Sequence, residues 1–173
     1  MDAILNVLNK VEIENSEWFL KANQIADALF HFIQLKEKEI YEEHKPDSSS
    51  VAIQRILLPK LSELGFESEK QGLFNAYPVS SLRPDYYLSL GSEKGIIVEI
   101  ERGRIGSNNM DLLDFWKCHI CKTANCLFLI VPINRPSKNG KTTPAFASVH
   151  HRLSVFFQPK NHVNVDAVFL FGY

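Results

Sequence analysis

Residues 95–102 read GIIVEIER, and this stretch decides the fold. Successive side chains of a strand point to opposite faces of the sheet, with a period of two. Ile97, Glu99 and Glu101 therefore share one face, and the two glutamates lie about 6–7 Å apart along the backbone. The opposite face carries Ile96, Val98, Ile100 and Arg102. The stretch predicts a mostly apolar strand with two carboxylates on one face.

The residues before this strand add a third carboxylate. Residues 85–90 (DYYLSL) predict a neighbouring strand, and Gly91–Ser92 supply the turn of an antiparallel hairpin. A shorter segment at 66–70 extends this hairpin to a three-stranded meander. Asp85 lies at the far end of its strand and, depending on register, joins Glu99 and Glu101.

Three carboxylates this close repel one another and become partly protonated unless a cation compensates their charge. Mg²⁺ suits such a site because it prefers carboxylate oxygens and keeps water molecules for a phosphate substrate. The alternative is that Glu99 and Glu101 line the solvent-facing side of an edge strand.

The residues after the glutamates predict the rest of an α/β fold. Asn108–Asn109 cap an expected helix at 110–124, whose apolar face would comprise Leu113, Trp116, Ile120 and Ala124. The run CLFLIVP (126–132) has no polar alternation and predicts a strand buried on both faces. A polar loop (134–144), a helix (145–157) and a strand (165–172) complete the chain. This order predicts a mixed sheet flanked by helices, because an antiparallel meander is followed by a β–α–β crossover.

The first part of the chain is predicted to be helical. Residues 2–10 and 17–43 have apolar residues at helical spacing, Pro46 ends that region, and a further helix spans about 49–64. We assign residues 1–44 to an N-terminal helical extension that serves packing or dimerisation, and residues 49–173 to the core.

Composition narrows the class of protein. A chain of 173 residues that is 45% hydrophobic can bury a full core as one domain. Three cysteines and the absence of a signal-like or membrane-spanning stretch favour a soluble cytoplasmic protein. Residues 1–100 contain 10 Lys and Arg against 16 Asp and Glu, whereas residues 101–173 contain 9 against 4. A basic half beside an acidic pocket suits a polyanionic ligand, although a solvated surface explains the charges equally well.

Pro84-Asp85, followed after 13 residues by Glu99-Ile100-Glu101, resembles the motif of the PD-(D/E)xK nucleases, the restriction-endonuclease-like superfamily. The order of elements from 49 to 173 is similar to the core of that superfamily. The usual lysine is replaced by Glu101, which looks most like the type II restriction enzymes that carry Glu or Gln there. The resemblance implies a restriction-endonuclease-like mixed sheet.

The resemblance also implies roles for individual residues. Asp85 and Glu99, with the backbone carbonyl of Ile100, would bind Mg²⁺, for which Mn²⁺ would substitute. Glu101 would hold or deprotonate the attacking water. A cation near the scissile phosphate must then come from elsewhere, and the candidates are Lys117, Lys70 and Arg104. Gln54 and Glu63 on the leading helix are weaker candidates for a further polar contribution.

DNA is the expected partner, and a homodimer is expected because enzymes that cut both strands of a palindrome work as two-fold pairs. The candidate DNA-binding residues are Arg104, Lys117, Arg135, Lys138, Lys141 and Arg152. Cys118, Cys121 and Cys126 allow a zinc site, but buried free thiols are the favoured interpretation.

The sequence thus predicts a Mg²⁺-dependent DNA endonuclease of restriction type. Its expected chemistry is hydrolysis of phosphodiester bonds by a metal-activated water, and the resemblance implies products with 5′-phosphate and 3′-hydroxyl ends. The competing hypothesis is a non-catalytic nucleic-acid-binding or assembly protein that retains the nuclease fold.

Overall fold

A computed structural model describes residues 2–45, 49–77, 82–91, 93–102, 109–136 and 140–173. The helices are α1 (Glu17–Leu35), α2 (Glu37–Glu43), α3 (Ser50–Glu63), α4 (Met110–Ile120) and α5 (Ala145–Ser154). The strands are β1 (Ile4–Asn9), β2 (Glu67–Ser68), β3 (Tyr86–Gly91), β4 (Lys94–Ile100), β5 (Cys126–Val131), β6 (Asn134–Pro136), β7 (Thr142–Pro144) and β8 (Ala167–Gly172).

Six of these strands form one mixed sheet in the order β1-β8-β5-β4-β3-β2. The meander β2-β3-β4 is antiparallel, β4, β5 and β8 run parallel, and β1 pairs antiparallel with β8. Helix α4 makes the crossover from β4 to β5, as parallel neighbours require. The predicted α/β class, with a mixed sheet flanked by helices, is therefore confirmed.

The sheet separates two hydrophobic cores. Strand β5 is buried at every position, because parallel strands cover its two edges and side chains cover both of its faces. Helices α1, α2 and α3 pack on one face of the sheet, against side chains that include Ile100, Phe128 and Phe169. Helices α4 and α5 pack on the other face, against side chains that include Ile97, Leu129 and Leu170. Glu99 and Glu101 belong by alternation to the α4 side.

The prediction of a helix at 2–10 was wrong. Ile4–Asn9 is strand β1, which lies at the edge of the sheet and pairs along its whole length with β8. The backbone groups on that side of β8 would otherwise lack ladder partners, so the pairing satisfies them. Six residues are too few for hydrophobic spacing to separate a strand from a helix. Leu5 packs into one core and Leu8 into the other, as alternation along a strand requires.

The helix predicted at 17–43 is interrupted. Lys36 leaves the helical conformation, with φ −97° and ψ 6°, and separates α1 from α2. The break turns Ile40 back onto the first core, where it is 2% exposed. The apolar face of α1 packs against this same sheet, through residues such as Phe19 and Leu29.

The predicted apolar face of the helix after the glutamates was wrong in part, because Ile120 and Ala124 pack in the second core but the other two residues do not. Leu113 and Trp116 are 50% and 46% exposed. The helix buries a different face, formed by Asp111, Asp114, Phe115 and Cys118. This burial is tolerated because Asp111 and Asp114 each contact a basic side chain. The helix ends at Ile120, before the expected residue 124.

Smaller differences concern element boundaries. The strand expected at 66–70 is reduced to Glu67–Ser68, and the expected loop at 134–144 contains the two-stranded hairpin β6-β7. The final helix ends at Ser154 and continues as a 3₁₀ turn, Val155–Phe157. The last strand begins at Ala167, two residues later than expected. Across the described ranges, no helix is long and apolar enough to cross a membrane.

Candidate active site

The end of β4 places the three predicted carboxylates on one side of the sheet, where Asp85 interacts electrostatically with Glu99 and with Glu101. Tyr86 pairs with Val98 across the β3-β4 ladder, so the preceding residue, Asp85, lies beside Glu99 on the same side of the sheet. The Asp85 carboxylate accepts a hydrogen bond from the Ile100 N–H at 2.9 Å. This register puts Asp85 beside Glu99, one of the arrangements that the sequence left open.

Glu99 and Glu101 occupy the same face but differ in exposure. Glu99 lies within β4 and is 4% exposed, whereas Glu101 follows the strand and is half-buried. The Glu101 N–H donates to the Ile130 carbonyl at 2.9 Å, and the Tyr173 hydroxyl donates to the Glu101 carbonyl at 3.2 Å. These two bonds fix the backbone of Glu101 beside the parallel strand β5. Glu99 does not line an open, solvated strand face.

Helix α4 adds two charged residues to this cluster. Lys117 Nζ lies 2.6 Å from Glu99 Oε1 and 3.3 Å from Asp114 Oδ1. Asp114 is 1% exposed, and its other oxygen, Oδ2, is buried without a hydrogen-bond partner among the described residues. We name Asp85, Glu99, Glu101, Asp114 and Lys117 the α4–β4 cluster.

Sequence reasoning missed Asp114 because it assigned the apolar face of α4 to the core. A usable signal existed, since Asp111, Asp114 and Lys117 recur every three residues and so lie along one side of a helix. Charges at this spacing are also typical of a solvent-exposed helix face, so the signal is weak without the structure.

The acids of the cluster hold protons more tightly than ordinary carboxyls. Burial, followed by the nearby Asp114, raises the pKa of Glu99 well above its usual value. Burial, followed by Asp114 and Asp85, raises the pKa of Glu101 to about 8. Burial is also the main cause that raises the pKa of Asp85, and it raises the pKa of Asp114 to about 6.

Lys117 keeps its charge, whereas the raised pKa values of the acids favour their neutral forms. Burial alone disfavours its charge, but Glu99 and then Asp114 raise the pKa of its ammonium above the usual value. One ammonium thus contacts two carboxyls, Glu99 and Asp114, and interacts electrostatically with two more, Asp85 and Glu101. The ammonium keeps its proton, and the excess negative charge of the acids is relieved by protonation or by a further cation.

The donor set fits a hard divalent cation. Carboxylate oxygens and a backbone carbonyl are the ligands that Mg²⁺ accepts, and the unpartnered Asp114 Oδ2 is one more buried oxygen in the cluster. No three His, Cys, Asp or Glu side chains stand in metal-binding geometry in the part of the chain that the structure describes. In this state Lys117 Nζ is the cation that contacts Glu99.

The other candidate residues are more scattered. Arg152 contacts Asp111 Oδ1 at 2.6 Å and Asn109 Oδ1 at 3.1 Å, so it links α5 to the start of α4. Arg135 lies on β6, and Lys141 directly precedes β7. Arg104 and Lys138 lie outside the described residues.

The remaining candidates differ in their contacts, and Gln54 contacts the cluster. A hydrogen bond from the Gln54 side chain lowers the pKa of Asp85, which places Gln54 on α3 next to the cluster. Glu63 instead pairs with Lys60 at 2.7 Å, and Lys70 pairs with Glu67. Cys118, Cys121 and Cys126 are buried free thiols.

No protein-family model matches the sequence, and no curated protein matches it either. The structure is similar to a solved structure described as the restriction endonuclease BglII complexed with a DNA 16-mer. The TM-score is 0.54, the sequence identity is 10%, and the alignment covers 99% of this chain and 78% of that one. Similarity at this identity concerns the fold alone. The chain therefore has a restriction-endonuclease-like fold, and the α4–β4 cluster lies where β4 ends within it.

Proposed function

We propose that the protein is a metal-dependent DNA endonuclease of restriction type. The position of Asp85, Glu99 and Glu101 on one side of the sheet, within electrostatic range of one another at the end of β4, carries this proposal. Burying several acids together is unfavourable unless a cation or a proton shared among them compensates. The fold similarity to a restriction endonuclease solved with DNA supports DNA as the substrate class.

Each carboxylate has a distinct proposed task. Asp85 and Glu99, with the Ile100 carbonyl, would hold Mg²⁺, which supplies positive charge at the phosphate and acidifies a bound water. Asp85 is positioned for this task by the Ile100 N–H, which fixes one carboxylate oxygen. Mn²⁺ would replace Mg²⁺ because both accept oxygen ligands.

Glu101 is the proposed general base. Its half-buried carboxyl, in the ionised form that a nearby cation favours, would accept a proton from the attacking water, whose oxygen bonds to phosphorus while the P–O3′ bond breaks. The leaving 3′ oxygen then takes a proton from solvent. The products carry 5′-phosphate and 3′-hydroxyl ends, and the proton balance is closed when Glu101 returns its proton to water.

Plasmid cleavage tests the function directly. We expect supercoiled plasmid to be cut with Mg²⁺ or Mn²⁺ and to stay intact with EDTA. We expect Asp85→Asn and Glu99→Gln to remove the activity, while Glu42→Gln, on the exposed side of α2, retains it. The proposed homodimer predicts linear product formed in one encounter, whereas a monomer would accumulate nicked circles first. DNA that is bound but never cut would favour the non-catalytic alternative.

The basic second half of the chain predicts a strong salt dependence of DNA binding. Each neutralised phosphate releases counterions and contributes about 0.9 to the slope of log K against log salt. Arg135 and Lys141 lie on the β6-β7 hairpin, so Arg135→Ala with Lys141→Ala should flatten the slope by up to about 1.8 if both contact phosphates. Fluorescence anisotropy of a labelled duplex between low and high salt measures this slope. An unchanged slope would place the DNA-binding surface away from the hairpin.

A further inference from the structure

Strand β4 carries no lysine beside its glutamates, and helix α4 brings one to them. Lys117 Nζ is 2.6 Å from Glu99, and Asp85, Glu99 and Glu101 all lie close enough for its charge to lower their pKa. The Lys117 ammonium therefore interacts electrostatically with all three proposed site carboxylates. Two other candidate cations have different partners: Lys70 forms an exposed pair with Glu67, and Arg152 pairs with Asp111.

Asp114 holds this ammonium in place. It lies one helical turn before Lys117 on α4, and its Oδ1 is 3.3 Å from Nζ. Asp114 is buried, so this contact is shielded from solvent far more than a surface pair would be. The Lys117 side chain is 14% exposed, against 5% for Glu99 and 1% for Asp114, which makes it the most accessible member of the trio.

We propose that Lys117 on α4 is the catalytic cation that neutralises the scissile phosphate, and that Asp114 is the residue that positions it. The inference rests on the proposed nuclease function and names the source of the charge that β4 lacks. As the phosphate gains negative charge in the transition state, a fixed ammonium stabilises it without reorganising solvent. In this role Asp114 acts through Lys117, because its Oδ1 orients Nζ toward Glu99 and the phosphate beside it.

Single-turnover cleavage at saturating DNA and Mg²⁺ tests this assignment. We expect Lys117→Met to slow cleavage by about 10²–10³-fold, as the loss of one preorganised electrostatic contact does. Lys117→Arg should recover part of the rate because it keeps the charge, and Asp114→Asn should show a smaller loss than Lys117→Met. Lys122→Met removes an exposed lysine from the turn after α4 and serves as the matched control, which should cleave at the wild-type rate.

Two further measurements distinguish a catalytic role of Lys117 from a purely structural one. Lys117→Met should still bind Mn²⁺ in calorimetry, because Asp85 and Glu99 remain and a competing cation is gone. If the single variant unfolds, Asp114→Asn combined with Lys117→Met removes both charges of the pair, and this folded double variant should be as slow as expected for Lys117→Met.

The outcomes separate the two proposals. If the wild-type protein leaves DNA intact with both metals, the proposed nuclease function and this inference are both wrong. If the wild type is active and a folded Lys117→Met or double variant is equally active, only the inference is wrong. Cleavage by Lys117→Arg at or below the Lys117→Met rate would also overturn it, because charge would then not be the property that matters.

Discussion

Asp85→Ala and Glu99→Ala are each expected to abolish Mn²⁺ and Mg²⁺ binding in a calorimetric titration. Glu99 lies near the end of β4, and Asp85 lies beside it, directly before β3, so each change removes an anionic ligand from the same proposed site. Removing Glu99 also takes away a carboxylate that pairs with the Lys117 ammonium. The ammonium stays buried and repels the metal. We expect a measurable heat of metal binding for the wild type and none for either variant.

Controls separate loss of the metal ligand from loss of the fold. Asp85 also accepts the Ile100 N–H, so Asp85→Asn is the better variant, because its amide oxygen can keep that hydrogen bond while the charge disappears. Glu42→Ala, which changes an exposed acid, should bind metal as the wild type does. Thermal unfolding should show each variant folded at the titration temperature. Unchanged binding in both Asp85 and Glu99 variants would place the metal elsewhere.

Local periodicity predicted the centre of the fold because it depends on neighbours within a strand. Alternation placed Glu99 and Glu101 on one face, and the absence of polar residues in 126–131 predicted the doubly covered strand β5. The hairpin turn limited the possible registers and brought Asp85 next to Glu99. These features required no information about distant parts of the chain.

The misassigned elements depend on partners far away in sequence. Strand β1 exists because the edge of β8, at the other end of the chain, provides hydrogen-bond partners. The acidic face of α4 turns inward because Asp111 meets Arg152, 41 residues later, and because Lys117 meets Glu99, 18 residues earlier. Hydrophobic spacing alone assigns such a face to solvent, since it takes no account of ion pairs formed by tertiary packing.

The same limit explains why the candidate site was only partly predicted. The three proposed carboxylates follow from β4 and its neighbour, whereas the proposed cation, Lys117, comes from a separate element. Sequence reasoning could name Lys117 as one of several cations but could not rank it, because ranking requires the orientation of α4 on the sheet. Asp114 was missed for the same reason.

Glu101→Gln is expected to slow cleavage by about 10²–10⁴-fold while metal binding persists, as the loss of a general base does. The amide keeps the size of the side chain, and the backbone contacts with Ile130 and Tyr173 do not involve the altered atoms. Single-turnover rates and a Mn²⁺ titration on the same preparation measure the two effects separately. A folded variant that cleaves at the wild-type rate would show that Glu101 takes no proton.

Glu101→Lys tests whether the natural protein is an active nuclease or has lost the activity. This change restores the residue usual for the resembled nucleases, but in a cluster where Lys117 already supplies an ammonium to Glu99. A second ammonium would compete with the metal for Asp85 and Glu99, so the variant should be a poor enzyme. The opposite result carries equal weight: if Glu101→Lys creates cleavage in a protein otherwise inert on DNA, the natural sequence binds without cutting. Cleavage assays of wild type and variant side by side decide between these outcomes.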